Sequence, residues 1–145
     1  MLALAAILAV PLLAPAPDLT VALITTQERA VASGRLLVPT TIENEGTRPA
    51  RRSRTRYWLS RDAERGHDIR MRAVRFPRIK AGERHAKTAT LRVPAPTKGG
   101  TYHLIACADA RRRVREERED NNCMVSAETI DVRRMTEPQV PPGPG

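Results

Sequence analysis

Alternation of apolar and polar residues in short runs is the feature that most limits how this chain can fold. The pattern extends from residue 17 to residue 132, and one run alternates through Leu36, Val38, Thr40 and Ile42. Seven such runs are separated by Gly, Pro, Asn and Asp at intervals of roughly ten residues, without an amphipathic helix pattern. This spacing predicts an all-β single domain, a seven-stranded antiparallel sandwich of two sheets.

The segments on either side of these runs differ in composition. Residues 1–16 are apolar, and the unbroken run from Leu2 to Ala14 is shorter than the roughly 20 residues of a bilayer span. It matches the hydrophobic region of a signal peptide, so we expect export. No Lys or Arg precedes the run and Pro17 follows Ala16, so either the start lies upstream or the segment stays attached as an anchor. Residues 133–145 are predicted to form a disordered, Pro-rich tail.

The two cysteines, Cys107 and Cys123, are 16 residues apart and belong to no Cys-x-x-Cys motif. In an exported protein this pattern favours a disulfide over a metal site or a nucleophile. The alternation places Cys107 on the face opposite to Tyr102, Leu104 and Ala106. We therefore expect a disulfide in the last hairpin, on the outer face of the sheet.

The positive charge of the chain is concentrated in its middle. The sequence has 25 Lys and Arg against 16 Asp and Glu, and residues 48–92 alone have 15 against 4, a net charge of +11. Arg54 and Arg56 share a strand face with Trp58, which makes them a candidate binding face for an anionic polymer. Teichoic acid, acidic polysaccharide and extracellular nucleic acid are such polymers. The alternative is that the positive charge reflects genome composition and has no binding role, because 22 of the 25 basic residues are Arg, as a GC-rich genome would produce.

Genomic DNA is not expected as a partner of this basic face. Export separates the chain from the genome, and aromatic residues make up only 3% of the sequence, too few for a base-stacking platform.

Catalytic and cofactor-binding motifs are not found in the sequence. The three histidines are far apart, and there is no Gly-rich phosphate loop. We therefore expect no enzyme activity, no catalytic residue and no cofactor.

One loop has the spacing of oxygen ligands for calcium. Asp62, Glu64 and Asp68 surround Gly66, as in a calcium-binding loop. Arg65 and other basic residues interrupt the pattern, so a solvated turn is favoured and a Ca²⁺ site is the alternative.

The last hairpin carries a resemblance to a known family. The segment TYHLIACADARRRVREEREDNNC, residues 101–123, resembles the C-terminal signature of CARDB, the cell-adhesion-related domain found in bacteria. PDLTV (17–21), IENEGT (42–47) and YWLSRD (57–62) are similar to earlier parts of that family. The resemblance covers about residues 17–132. It implies an immunoglobulin-like seven-stranded sandwich that is exported, non-enzymatic and usually a module of larger surface proteins.

The residues that match this signature are interpreted as hairpin architecture. Val114 is expected in the core, and the amides of Asn121 and Asn122 are expected to bond turn backbone and to tolerate left-handed φ. In the alternative interpretation, Glu116 and Glu119 belong to a cation site. The positive charge of the neighbouring arginines disfavours that interpretation. The matching residues are Tyr102, Leu104, Asp109, Val114, Glu116, Glu119, Asn121 and Asn122.

The function expected from these observations is non-catalytic interaction or adhesion at the bacterial cell envelope or in the extracellular space. The partner would be a protein or polysaccharide at the cell surface. The alternative is an electrostatic binder of anionic envelope polymer through the Arg-rich face of residues 48–92. Contact with a membrane is expected only if residues 1–16 are retained.

Overall fold

The structure, a computed structural model, describes residues 14–135 and 143–144. The predictions for residues 1–13, and for residues 136–142 and 145 of the tail, lie outside these described residues. Eight strands form within them: β1 Leu19–Ile24, β2 Arg29–Val31, β3 Arg35–Asn44, β4 Ser53–Ser60, β5 Ile69–Phe76, β6 Arg84–Arg92, β7 Gly100–Cys107 and β8 Cys123–Arg133. In this part of the chain, no helix has the length and apolar character to cross a membrane.

The strands form two sheets that pack face to face. One sheet has the order β1-β3-β6, and the other has the order β2-β8-β7-β4-β5. The predicted all-β sandwich is confirmed, with one strand more than expected. β2 has three residues and pairs parallel to β8, whereas all other pairs of named strands are antiparallel. A strand this short buries only Ala30, so it gives no alternation that a sequence pattern can detect.

The core lies between the two sheets and is filled by the inward residues of each alternating run. The two tyrosines in it have partners for their hydroxyl groups, as buried tyrosines usually do. The Tyr57 hydroxyl lies 2.8 Å from Thr40 Oγ1, and the Tyr102 hydroxyl donates to the carbonyl of Lys98 at 2.8 Å. The largest fully buried side chains are Tyr57, Tyr102, Phe76, Leu19, Leu36, Ile42, Leu59, Leu91, Leu104, Ile105, Ile130 and Val38.

A second, smaller apolar cluster covers the outer face of the five-stranded sheet. It contains Trp58, Ile105 and Cys107. Cys107 is paired directly with Cys123 across β7 and β8, and the two form a disulfide with an S–S distance of 2.00 Å. The predicted disulfide and its place on the outer face are both confirmed.

The chain just before β1 is attached to the rest of the domain. The carbonyl of Ala16 accepts a hydrogen bond from the Thr47 amide, and the carbonyl of Pro17 accepts one from the Glu117 amide. Gly46 is required at this contact, because a Cβ there would overlap the backbone of residues 16–18. The turn after β3 and the last hairpin loop therefore both hold the start of β1.

Candidate anion-binding face and the last hairpin

Asp109 organises the first half of the last hairpin loop. Its φ of 42° lies in the left-handed region, and its side chain is buried. Its carboxylate accepts hydrogen bonds from the amides of Arg113, at 3.1 Å, and Val114, at 2.9 Å. Val114 thereby enters the core, as expected. A short buried acid bonded to its own loop fixes the backbone of residues 109–114.

Glu116 organises the second half of the loop. Its side chain is buried and accepts hydrogen bonds from the Leu19 amide and from Asn122 Nδ2, which contacts both carboxylate oxygens, each at 2.9 Å. Burial, with a smaller effect of the carboxylates of Glu119 and Asp109, raises the pKa of Glu116 to about 8, although these hydrogen bonds act to lower it. The carboxyl group therefore links the hairpin loop to the start of β1.

The two asparagines of the hairpin differ from their predicted role. Their amide groups donate to carboxylates instead of turn carbonyls: Asn121 Nδ2 contacts both oxygens of Asp18, at 2.9 and 3.1 Å, and Asn122 Nδ2 contacts Glu116. The left-handed φ angles of the loop belong to Asp109 and Arg112. The expectation of bonds to turn backbone was wrong because the amides point across the loop towards the start of β1 and the buried acid.

Glu119 contacts the loop backbone through Oε1, which accepts a hydrogen bond from the Glu116 amide at 3.2 Å. Tyr102 and Leu104 lie in the core, and the Leu104 amide donates to Ser126 Oγ. The signature residues therefore have two roles: Tyr102 and Leu104 fill the core along β7, and the loop residues close the end of the last hairpin.

Arginines gather beside this loop, at the end of the five-stranded sheet. Arg54 and Arg75 are direct cross-strand partners on β4 and β5, an arrangement that is destabilising for like charges. The Ala110 amide donates to the carbonyl of Arg54 at 2.9 Å, which brings the hairpin loop to the same place. The result is a cleft of about 320 Å³ lined by Arg52, Ser53, Arg54, Arg75, Asp109, Arg111 and Arg113. We call it the arginine cleft.

The guanidinium groups of the arginine cleft repel one another. Arg111 and then Arg75 lower the pKa of Arg54, followed by its partial burial and Arg113. Within the described residues, none of the five cleft arginines forms an ion pair. The ion pairs there belong to four other arginines, Arg65, Arg84, Arg118 and Arg133. A positive group in which no arginine is ion-paired to an acid is an arrangement suited to an anion.

The predicted face of Arg54, Arg56 and Trp58 is split by the structure. The Arg56 guanidinium donates to the carbonyl of Met71 at 3.0 Å, and burial, followed by Arg70, lowers its pKa. Trp58 is only 9% exposed, and the Arg65 guanidinium lies 3.6 Å from the centre of its ring. Trp58 therefore already stacks on a guanidinium of the same chain, and the accessible charge lies at the Arg54 end of the face.

Of the five cleft arginines, only Arg54 was named individually from the sequence; Arg52 and Arg75 belong to the predicted basic segment of residues 48–92, and Arg111 and Arg113 lie outside it. Arg75 lies within the basic segment, but its position opposite Arg54 depends on the β4–β5 register. The consecutive arginines at positions 111–113 were a visible signal. Their distance of more than 50 residues from Arg54 hid the contact that the hairpin makes.

In the loop that was the candidate Ca²⁺ site, the carboxylates of Asp62 and Asp68 accept hydrogen bonds from the loop itself. Asp62 Oδ1 accepts from Ser60 Oγ and from the Glu64 amide, and Asp68 Oδ2 accepts from the Gly66 amide and Arg65. Across residues 14–135 and 143–144, no group of three or more His, Cys, Asp and Glu side chains is placed to hold a metal ion.

Two facing, mainly antiparallel sheets of three and five strands make the domain a β-sandwich of the immunoglobulin-like class. The CARDB family model matches residues 16–126. The chain belongs to the CARDB family. No curated protein matches it.

Solved structures show the same fold at low sequence identity. The CARDB domain of the PF1109 protein from Pyrococcus furiosus, in complex with di-metal ions, is 19% identical, with a TM-score of 0.59 over 81% of this chain and 94% of that chain. A domain of a "putative cell surface protein" from Methanosarcina acetivorans is 16% identical, with a TM-score of 0.58 over 81% and 93%. A β-glucosidase from Erythrobacter marinus aligns with 81% of this chain and 16% of its own, at 11% identity and a TM-score of 0.51.

Proposed function

We propose that this protein is an exported, non-catalytic interaction module of the cell envelope or the extracellular space. Its family supports this role, since CARDB is a module-type family and one similar domain comes from a protein described as a cell-surface protein. The Cys107–Cys123 disulfide suits an oxidising compartment, and residues 1–16 match a signal peptide. The expected partner is a protein or polysaccharide at the cell surface.

A second candidate function is electrostatic binding of an anionic envelope polymer. One observation favours it: the arginine cleft is lined by five arginines that have no carboxylate ion-pair partner among the described residues. Phosphate-bearing polymers, acidic polysaccharides and extracellular nucleic acid all present the required charge.

Salt elution from the host's own envelope fraction tests both candidates. The whole exported protein is bound to the fraction and released with rising salt. Release within a few hundred millimolar salt supports electrostatic binding, because exposed charges are screened in that range. Retention at high salt supports a shaped contact with a protein or polysaccharide. Failure to bind at low salt contradicts both candidates.

Two double variants identify the face used. Arg54→Gln with Arg75→Gln removes two charges from the cleft. Arg29→Gln with Arg35→Gln removes two exposed charges from β2 and the start of β3. If the cleft binds the polymer, only the first pair moves elution to lower salt. Equal shifts for both pairs would attribute binding to net charge alone.

A further inference from the structure

We infer that the arginine cleft is a discrete site for one phosphomonoester group, and that Arg111 and Arg113 on the hairpin loop complete it. This inference rests on the proposed anionic ligand and narrows it to a single chemical group. It also restricts the site to three arginines of the basic segment of residues 48–92 and adds two from the last hairpin, outside that segment.

The cleft has a fixed framework on both sides. Arg54 and Arg75 are held in register on β4 and β5, and the hairpin loop is joined to this end of the sheet through the Ala110 amide. Arg51 donates to the carbonyl of Arg113. The backbone on both sides of Arg111, at Ala110 and Arg112, and the backbone of Arg113 are therefore held by hydrogen bonds, which reduces the loss of conformational freedom on binding.

The one acid that lines the cleft does not neutralise it. Asp109 directs its carboxylate oxygens to the amides of Arg113 and Val114. The remaining charge is five guanidinium groups against one carboxylate that is already bonded. Repulsion within such a group destabilises the free protein, and a bound anion relieves it.

The arrangement fits a phosphomonoester better than a carboxylate. A phosphomonoester carries a charge of about −1.5 to −2 at pH 7 and has three strong acceptor oxygens. Guanidinium groups bind such oxygens in pairs, through planar forks of N–H donors. Several guanidinium groups can therefore share one phosphate, whereas a carboxylate has two oxygens and a single charge.

Inorganic phosphate, methyl phosphate, dimethyl phosphate and acetate are the probes for this site. Each is titrated into the whole protein at constant ionic strength and pH 7.5, with calorimetry and the NMR signals of the arginine Nε–H groups as readouts. We expect saturable one-to-one binding of inorganic phosphate and methyl phosphate. Dimethyl phosphate and acetate carry one charge each, and their affinity should be lower by a factor of about ten or more.

Matched double variants separate a discrete site from diffuse attraction. Arg111→Gln with Arg113→Gln should weaken methyl phosphate binding by about tenfold or more. Arg70→Gln with Arg72→Gln removes the same charge from exposed positions of β5 outside the cleft and should leave binding within about twofold. Thermal unfolding of both variants controls for folding, and methyl phosphate should raise the Tm of the wild type and of the β5 variant only.

The failure of this inference is distinguishable from the failure of the proposed function. Equal weakening in both variants, or no saturable binding of phosphate, would overturn the discrete site. If the envelope polymer still binds with strong salt dependence in that case, electrostatic binding stands without a phosphate pocket. If polymer binding also fails, the anionic ligand itself is wrong.

Discussion

Substitution of Glu116 by Gln is expected to change stability little at pH 6 and to make the protein more stable than the wild type at pH 9. Burial raises the pKa of Glu116 from 4.5 to about 8, so the folded protein holds a proton that the unfolded chain has already released. The stability that this proton contributes is complete below about pH 4.5. It is lost as the pH rises through about 8.

The size of the effect follows from the same values. A pKa difference of one unit corresponds to about 1.36 kcal/mol, so the part lost between pH 6 and pH 9 is at most about 2.7 kcal/mol. Glu116 also lines an open cleft with Arg48, Arg78 and Arg115, where solvent screens part of the cost of ionisation. We therefore expect the wild type to lose about 2 kcal/mol of unfolding free energy over this range.

The Glu116→Gln variant has no charge to titrate and nearly the same shape. It still offers an oxygen to the Leu19 amide, and its amide nitrogen can donate to Asn122 Oδ1, which is buried without a hydrogen-bond partner. At pH 6 the variant should match the wild type within about 1 kcal/mol. At pH 9 it should be more stable by about 2 kcal/mol.

Urea unfolding at pH 6, 7, 8 and 9 measures this difference, with the fluorescence of Trp58, the single tryptophan, as the probe. Subtracting the two curves removes the contributions of the three histidines. Parallel curves from pH 6 to pH 9 would refute the reasoning. A variant that is less stable at every pH would show that the N–H donors of Leu19 and Asn122 keep Glu116 ionised despite its burial.

Two further predictions concern the elements that close the domain. Reducing the Cys107–Cys123 disulfide, which spans 16 residues, should lower the unfolding free energy by about 3 kcal/mol. An unchanged urea midpoint in reductant would contradict this. Asn44→Ala should cost about 3 kcal/mol or more, because the buried Asn44 amide accepts from the Asp18 and Gly46 amides and donates to the Arg48 and Ile79 carbonyls. The control Asn121→Ala, which loses contacts to Asp18 alone, should cost about 1 kcal/mol in the same assay.

Periodicity was sufficient to predict the sandwich, because period-two alternation records directly which face of a strand is buried. It placed Tyr102, Leu104 and Ala106 in the core and Cys107 on the outer face. It did not show β2, whose three residues pair only with β8. It also could not show that Asn44 joins the start of β1 to the segment before β6, since those contacts span up to 35 residues.

The functional site was harder to predict than the fold, because it depends on which ends of distant elements meet. Arg54 and Arg56 were named from one strand, and Trp58 was expected to be available for stacking. The structure covers Trp58 with Arg65, whose partner Asp68 lies in the same loop. The conformation of this loop decides whether the face of the Trp58 ring is accessible to a ligand. Residue spacing alone does not predict that conformation.

The distribution of charge in the last hairpin loop argues against a purely compositional origin of the arginine cleft. Genome composition explains why 22 of 25 basic residues are Arg, but not where acids stand relative to them. Residues 111–120 contain both signs, and Arg111 and Arg113 lie away from the acids of this stretch. They face β4 and β5, whereas Arg115 lines a cleft with Glu116, and Arg118 pairs with Asp120. Glu116 itself contacts the start of β1 through the Leu19 amide.

An acid on the arginine side of the loop would have relieved the repulsion around Arg54. Asp109, the acid present there, is instead bonded to loop amides. Unrelieved repulsion of this kind lowers the stability of the fold, and such destabilising arrangements are expected at sites that bind a ligand. The arginine cleft is therefore the part of the described surface where the proposed anion binding should be tested first.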